Sequence, residues 1–174
     1  MYDRDVCVND QAAWEQALSN AGSWYCGVPA AIRLELDRLL EEIMHLKQML
    51  VELVTSSGSS AICRACGGEC CNLGKYHLSV LDILAYRKTG LEPLVPDFSS
   101  TPACPYSNAS GCLMTAPYRP LTCVIFNCQS IEERLTAPQR QTLDEYESAL
   151  RATVARAGRL HDMRIDRPLL LSYR

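Results

Sequence analysis

Cysteines are the residues of this chain with the clearest capacity for chemistry. Ten occur in 174 residues, and four of them fall in the stretch CRACGGECC, Cys63–Cys71. Neighbouring Cα atoms lie about 3.8 Å apart, whereas an unstrained disulfide spans roughly 4.4–6.8 Å. A disulfide between the adjacent Cys70 and Cys71 is therefore disfavoured, and metal ligation or reactive thiols are the chemical alternatives.

The spacing within this stretch favours a metal. The C-x-x-C of Cys63 and Cys66 allows both sulfurs to point inward from one tight turn. The following glycines permit the positive φ angles that such turns often need. Side chains of neighbouring residues in an extended segment point to opposite sides. Either one of Cys70 and Cys71 is a ligand, or the pair bridges two sites, unless the local backbone is bent.

A second block, CPYSNASGCLMTAPYRPLTCVIFNC, supplies further thiols. Together the two blocks predict eight metal ligands: Cys63, Cys66, Cys70, Cys71, Cys104, Cys112, Cys123 and Cys128. Eight thiolates suffice for two four-sulfur sites, or for one iron–sulfur cluster with thiols left over. The C-x-x-C with a distant second block favours zinc, and the glycine-rich turn and Cys104–Pro105 favour a cluster. Both metals stay open.

Other side chains could assist or compete with these thiols. Arg119 is expected to hydrogen-bond carbonyl groups or to offset thiolate charge, and His77 is either a ligand or a solvated residue ahead of a helix. The candidates to offset the negative charge are Arg64, Lys75, Arg87, Lys88 and Arg119. Cys7 and Cys26 lie outside the two blocks and are predicted to pack in the core.

The cysteine blocks resemble a known family. Its signature is C-x-x-C-x-x-C-C, followed by a helix and by a cysteine, a tyrosine, Arg-Pro, a further cysteine and an aromatic. The corresponding residues here are Cys112, Tyr118, Arg119, Pro120, Cys123 and Phe126. The chain is thus similar, over residues 61–128, to the cysteine-cluster family of zinc- or iron-chelating domains, with one extra residue between Cys66 and Cys70. The resemblance implies metal binding by the eight cysteines and supplies no substrate.

Composition narrows the function further. The net charge of −3 gives no strong attraction to nucleic acid or anionic lipid. The start, MYDRDVCVND, has acids where a signal peptide needs bases, and no apolar run approaches the roughly 18 residues of a membrane span. We therefore expect a cytoplasmic protein that binds neither nucleic acid nor membrane. No catalytic triad or phosphate-binding loop is identifiable.

The elements that must position the cysteines are mostly helical. A first helix is predicted from a cap at Asn9 or Asp10 to Gly22. The strongest pattern runs from Ala30 to Val54, where apolar residues alternate steps of four and three. This seam consists of Ile32, Leu36, Leu39, Ile43, Leu46, Leu50 and Leu53. Leu40, Met49 and Val54 widen it, which favours a helix buried in a bundle or hairpin. Residues 55–60, TSSGSS, are predicted to be a linker.

Further helices follow. Ser79 and Asp82 form an S-x-x-D cap of a helix that ends at Gly90, and loop follows it. TCVIFNC is the nearest approach to a strand. Thr136 and Gln139 cap a last helix that ends at Gly158 and carries an apolar face of Leu143, Tyr146, Leu150, Val154 and Ala157. The tail residues Leu169–Leu171 are expected to dock onto the core.

The predicted fold is mainly α: a helical hairpin or small bundle with an inserted, loop-rich, cysteine-ligated metal-binding domain. Its regions are 1–60, with the long heptad helix; 61–130, the cysteine domain; and 131–174, a helix packing on the long helix, and a tail. The predicted function is zinc or iron binding in a structural or redox role. The alternative is an iron–sulfur enzyme or electron-transfer protein of unknown substrate. An unknown protein partner, or self-association through helix 30–54, is a further hypothesis.

Overall fold

The computed structural model describes residues 4–66, 68–72, 74–99, 104–160 and 165–171, with side chains from residue 9 onward. The predicted mainly α-helical fold is confirmed. The helices are α1 (Arg4–Gly27), α2 (Ala30–Ser56), α3 (Ser59–Ala65), α4 (Val80–Thr89), α5 (Leu121–Ile125), α6 (Gln129–Glu132) and α7 (Ala137–Gly158). Strands β1 (Ser107–Asn108) and β2 (Gly111–Cys112) pair antiparallel, and 3₁₀ turns lie at Glu69–Cys71, Gly74–Tyr76, Ala116–Tyr118 and Leu169–Leu171.

Helix α2 is the axis of the fold, and its wide apolar stripe is confirmed. It begins directly after Pro29, whose φ of −52° suits the start of a helix. The buried side chains along it are Leu36, Leu39, Leu40, Ile43, Leu46, Lys47 and Leu50. Burying such a stripe is favourable by about 1.5–3 kcal/mol per large apolar side chain. The seam predicted on α2 is therefore buried within the fold rather than exposed on the protein surface.

Helix α7 packs along α2. The Thr136 and Gln139 capping box is confirmed, and the helix ends at Gly158 as predicted. Its buried side chains are Leu143, Leu150, Thr153, Val154 and Ala157. Beside this apolar contact, Thr153 Oγ1 donates to Glu42 Oε1 of α2 at 2.7 Å. Helices α2 and α7 thus form a hairpin-like pair.

Helix α1 is longer than the sequence predicts. It runs through Asn9 and Asp10 and past Gly22 to Gly27, so both predicted ends are wrong. Gly22 serves packing: a Cβ there would lie 3.2 Å from Nε of Arg87, so the missing side chain lets α4 approach. Asp10 is buried and pairs with Lys75 instead of capping the helix.

Helix α4 is buried along its first two turns, and its predicted capping box and its end at Gly90 are confirmed. The segment after residue 164 supplies partners for the free amides at its start. Val80 N donates to Arg167 O at 3.3 Å, and Leu81 N donates to Ile165 O at 2.8 Å. Leu169 and Leu170 are buried, so the predicted docking of the tail is confirmed for these two residues, whereas Leu171 is half exposed.

Two local predictions in the middle of the chain are wrong. TCVIFNC contains helix α5, not a strand, because Pro120 ends the preceding turn and accepts hydrogen bonds from Cys123 N and Val124 N. The TSSGSS linker shrinks to two residues, since α2 reaches Ser56 and α3 begins at Ser59. Gly58 makes this sharp connection possible with a φ of +86°, a conformation that favours glycine.

The packing separates the predicted inserted domain from the rest of the fold only in part. Tyr106, Met114 and Val124 belong to the same buried cluster as the side chains of α1 and α2. Between residues 59 and 72, by contrast, Ser59 is the only buried residue that the structure describes. The segment that carries four cysteines is therefore the part with the least apolar burial.

Candidate metal centre

The eight predicted ligands lie in or next to short elements rather than in the long helices. Cys63 and Cys66 lie in and directly after α3, and Cys70 and Cys71 lie in the 3₁₀ turn that follows. The others are Cys104 ahead of the hairpin, Cys112 in β2, Cys123 in α5 and Cys128 directly before α6. All eight are free thiols.

One set of thiols surrounds Cys63. The pKa of Cys63 is raised by burial first and then by Cys70, Cys66 and Cys128, whose charges lie within interaction range. Cys128 lies directly before α6, and α6 packs on α3, which carries Cys63. Cys66 Sγ also lies 3.4 Å from Cys63 O and can donate to it. We call Cys63, Cys66, Cys70 and Cys128 the first thiol group.

A second set lies closer to the core. Burial, followed by Cys70, Cys104 and Cys112, raises the pKa of Cys71 to about 12. Burial also raises the pKa of Cys123, with smaller contributions from Cys104, Cys112 and Cys71. We call Cys71, Cys104, Cys112 and Cys123 the second thiol group, and Cys70 links it to the first through a hydrogen bond with Cys71. Cys123 is exposed as a residue, but its sulfur lies 3.2 Å from Nδ1 of His77.

The hairpin and a glycine hold part of the second group. Ser107 donates from its amide to Cys104 O at 3.1 Å and from its hydroxyl at 2.8 Å. Ser107 is also the strand partner of Cys112, so Cys104 and Cys112 are brought to one end of the hairpin. A Cβ on Gly74 would lie 2.5 Å from Cys104 Sγ, closer than real Cβ contacts permit. The close approach of this thiol therefore requires glycine.

His77 contacts the second thiol group directly. Its Nδ1 lies 3.2 Å from Cys123 Sγ, and the residue is half-buried rather than solvated. Burial lowers the pKa of His77, which favours the neutral ring. A neutral imidazole can donate one N–H to a sulfur or ligate a metal through a nitrogen. His77 thus lies shortly before α4, as expected, and its ligation of a metal stays a prediction.

The predicted role of Arg119 as a donor to a carbonyl is confirmed. Its Nε donates to Met114 O at 3.0 Å, and its charge lowers the pKa of Cys63 against the larger effects that raise it. Of the other candidate cations, Lys75 pairs with Asp10 at 2.8 Å and Lys88 with Glu41 at 2.6 Å. Arg119 thus combines a fixed position with an electrostatic effect on a predicted ligand.

A buried ion pair beside the thiols was not predicted. Lys47 Nζ lies 2.5 Å from Asp82 Oδ1, and both side chains are buried. Asp82 Oδ2 accepts hydrogen bonds from the amide and hydroxyl of Ser79. The charge of Asp82 also contributes to the raised pKa of Cys123. The sequence feature that could have revealed this ion pair is Lys47, a charged residue within the wide apolar stripe of α2.

The core-packing prediction is wrong for Cys26, which is exposed. The buried face of α1 is carried by Trp14, Ala17 and Ala21 at helical spacing, and Cys26 falls off that face. The side chain of Cys7 lies outside the described residues. Cys26 is consequently a natural control for the clustered thiols.

The fit of the site to a metal follows from its donors. Soft thiolates suit zinc and iron–sulfur clusters, and the thiols with raised pKa would have to release protons on binding. Within the described residues, no three His, Cys, Asp or Glu side chains are already arranged to hold a metal ion. A metal would therefore need to draw the thiols of each group together.

Comparison with known proteins adds no relative. No family model matches the chain, and neither a curated protein nor a solved structure matches it. No helix of the described residues is both long and apolar enough to cross a lipid bilayer. The described residues define a mainly helical protein.

Proposed function

We propose that this chain is a metal-binding protein that coordinates zinc or iron through its eight clustered cysteines. One observation carries the proposal: the short elements that hold the two cysteine blocks pack on one another, with α3 contacting both β2 and α6. Cysteines from separate parts of the chain are thereby brought to neighbouring elements. The resemblance to the cysteine-cluster family supports the same proposal.

The energetics of residues 59–72 give the metal a structural role. This segment forms a seven-residue helix and a 3₁₀ turn, although Ser59 is its only buried residue among those described. Helices this short are unstable by themselves, and backbone ordering costs roughly 1–2 kcal/mol per residue. A thiolate zinc site contributes on the order of 10–16 kcal/mol of apparent binding free energy at neutral pH. Metal binding would offset the ordering cost that burial leaves uncovered.

A redox role is the second candidate, and the exposure of Cys63, Cys66 and Cys70 favours it. An iron–sulfur cluster held near the surface could exchange electrons with a partner, which a closed zinc site cannot do. The protein residues would bind the cluster, and Arg119 would offset negative charge. The chemistry of electron transfer would come from the cluster itself.

Anaerobic purification of the full chain tests the proposal and separates the two roles. A brown protein with near-stoichiometric iron and sulfide supports the cluster, and a colourless protein with bound zinc supports the structural site. Cys26→Ser is the matched control and should leave the metal content unchanged, whereas Cys63→Ser should lower it. A folded chain that carries no metal in either preparation, and whose melting is unaffected by chelators, would overturn the proposal.

A further inference from the structure

We infer that Cys63 and Cys66 form a thiol–disulfide exchange site, which takes a low-molecular-weight disulfide as its substrate and closes to a reversible Cys63–Cys66 disulfide. The exchange itself needs no metal and is therefore independent of the proposed function. Two of the eight clustered thiols would thus have a chemistry of their own.

The two thiols lie one helical turn apart at the end of α3. Cys63 lies within the helix, and Cys66 directly follows its last residue, Ala65. The backbone stays helical to this point, since Cys66 N donates to Ile62 O at 3.0 Å. Side chains three residues apart in a helix lie on the same face, with Cβ atoms about 5–6 Å apart. Cys66 Sγ lies 3.4 Å from Cys63 O, so its sulfur is turned back toward Cys63.

Closing the disulfide requires only a small movement. A disulfide joins Cβ atoms about 3.5–4.5 Å apart, so the two residues must approach by roughly 1–2 Å. Ser59 is the only buried residue described between 59 and 72, so little packing resists this movement. A helix of seven residues also yields easily at its end, because short helices gain little stability from their own hydrogen bonds. The segment can therefore accommodate the bond without disturbing the core.

Both thiols are open to a reagent in solution, because Cys63 and Cys66 are exposed. Cys70, the next cysteine, is exposed as well, but it lies beyond the end of the helix, after Gly68 with its φ of +76°. Cys71 is half-buried, and the short spacing of the adjacent Cys70 and Cys71 disfavours a disulfide between them. Within this stretch, the C-x-x-C is therefore the pair best placed to close.

The exchange proceeds in two steps that conserve electrons. The thiolate of one cysteine attacks a sulfur of the small disulfide, which forms a mixed disulfide and releases one small thiol. The thiolate of the other cysteine attacks the protein sulfur of the mixed disulfide, which forms the Cys63–Cys66 bond and releases the second small thiol. The two electrons and two protons that the protein gives up are taken by the small disulfide. Because only a thiolate is a metal ligand, oxidation would also weaken metal binding, and this consequence alone rests on the proposed function.

Oxidised glutathione is the probe for this exchange, and Cys26 is a control within the same chain. The reduced full-length chain, stripped of metal by a chelator, is treated with oxidised glutathione, quenched in acid, alkylated and mapped by mass spectrometry. Trypsin cleaves after Arg64, so the peptides of Cys63 and Cys66 stay together only if a disulfide joins them. We expect fragmentation to place that bond between these two cysteines. Cys26, which is exposed and outside both cysteine blocks, should keep a bound glutathione, and dithiothreitol should reverse both modifications.

Single substitutions show whether the two thiols react with each other. Glutathione should remain on Cys63 in Cys66→Ser, and on Cys66 in Cys63→Ser. A variant that forms another disulfide as quickly as the wild type would overturn the inference. The wild-type map decides by itself if a variant does not fold. There, a bond from Cys63 to Cys70 or Cys128, glutathione retained on both thiols, or two unmodified thiols beside a modified Cys26 would each overturn it.

The metal content of the chain gives a separate result. A chain that forms the Cys63–Cys66 bond but carries neither zinc nor iron when purified supports the exchange site and contradicts the proposed function. A chain that binds metal through its cysteines, yet fails to form this bond once the metal is removed, supports the proposed function and contradicts the exchange site.

Discussion

Lys47 Nζ of α2 lies 2.5 Å from Asp82 Oδ1 of α4, with both side chains enclosed by the core. Asp82 also closes the capping box with Ser79, so one carboxylate links the start of α4 to the middle of the longest helix. The negative charge of Asp82 also contributes to the raised pKa of Cys123. This ion pair therefore joins the hydrophobic core to the second thiol group.

Removing one partner of this ion pair should strongly lower the stability of the fold. Lys47→Met leaves a buried carboxylate with only the Ser79 donors, and we expect a loss of about 3–5 kcal/mol in the free energy of unfolding. Adding Asp82→Asn removes the unpaired charge and keeps an acceptor for the cap, so the double variant should recover most of the loss. Urea unfolding of the single and double variants measures both effects.

Lys88→Met is the matched control for that experiment. Lys88 pairs with Glu41, which is exposed, at a similar distance. A pair at the surface contributes about 0–1 kcal/mol, so this variant should unfold near the wild-type denaturant midpoint. Equal losses for Lys47→Met and Lys88→Met would show that burial does not set the strength of the first pair.

The seam of α2 provides a test of internal packing. Leu39 is 1% exposed, and Leu39→Asp would place a charge in the core at a cost of about 4 kcal/mol or more. Leu46→Asp should act in the same direction. Circular dichroism and size-exclusion chromatography should show loss of the fold rather than a simple change of oligomeric state.

Leu34 lies on the same helix and is 74% exposed. Leu34→Asp should change stability by no more than about 0.5 kcal/mol. A well-folded monomer from Leu39→Asp, with only self-association lost, would contradict the packing described for α2.

Gly74 offers a precise perturbation of the second thiol group. In Gly74→Ala the new Cβ would lie 2.5 Å from Cys104 Sγ, so the thiol or the turn must shift. We expect a destabilisation of about 1–3 kcal/mol, together with weaker metal binding. Co²⁺ titration and thermal unfolding measure the two consequences separately.

Gly158→Ala serves as the comparison because a Cβ there meets nothing within 4 Å. Alanine is favoured over glycine in a helix by up to about 1 kcal/mol, so this variant should be neutral or slightly stabilised. Unchanged Co²⁺ binding in Gly74→Ala would argue against a metal at Cys104.

Arg119 has two separable effects, a hydrogen bond to Met114 O and a positive charge near Cys63. Arg119→Lys keeps the charge and loses the fixed Nε donor, so stability should fall by about 1 kcal/mol with metal affinity largely kept. Arg119→Gln loses the charge and should also weaken metal binding in chelator competition. Equal metal affinities for the two variants would assign Arg119 a purely structural role.

Removal of the metal should act locally. Because Ser59 is the only buried residue described between 59 and 72, the amides of this segment should lose hydrogen-exchange protection when a chelator is added. The amides in the middle of α2, around the buried Leu40 and Ile43, should keep theirs. Uniform loss of protection would mean that the metal stabilises the whole fold instead.

Local patterns in the sequence predict much of this structure. The Ser79–Asp82 and Thr136–Gln139 caps and the ends at Gly90 and Gly158 are confirmed, because each depends on residues within one or two helical turns. Predictions failed where long-range packing prevailed. Gly22 continues a helix because Arg87 packs against it, which no neighbouring residue reveals.

The features of the candidate site also fall into those that local sequence determines and those that long-range packing determines. The sequence itself determines the helical stripe of α2, the capped helices and the supply of thiols, since these follow from residue type and short spacing. Only the tertiary structure decides that α3 packs on α6, that His77 meets Cys123 and that Lys47 meets Asp82. These pairs join segments far apart in the chain, and their distances depend on how whole helices pack.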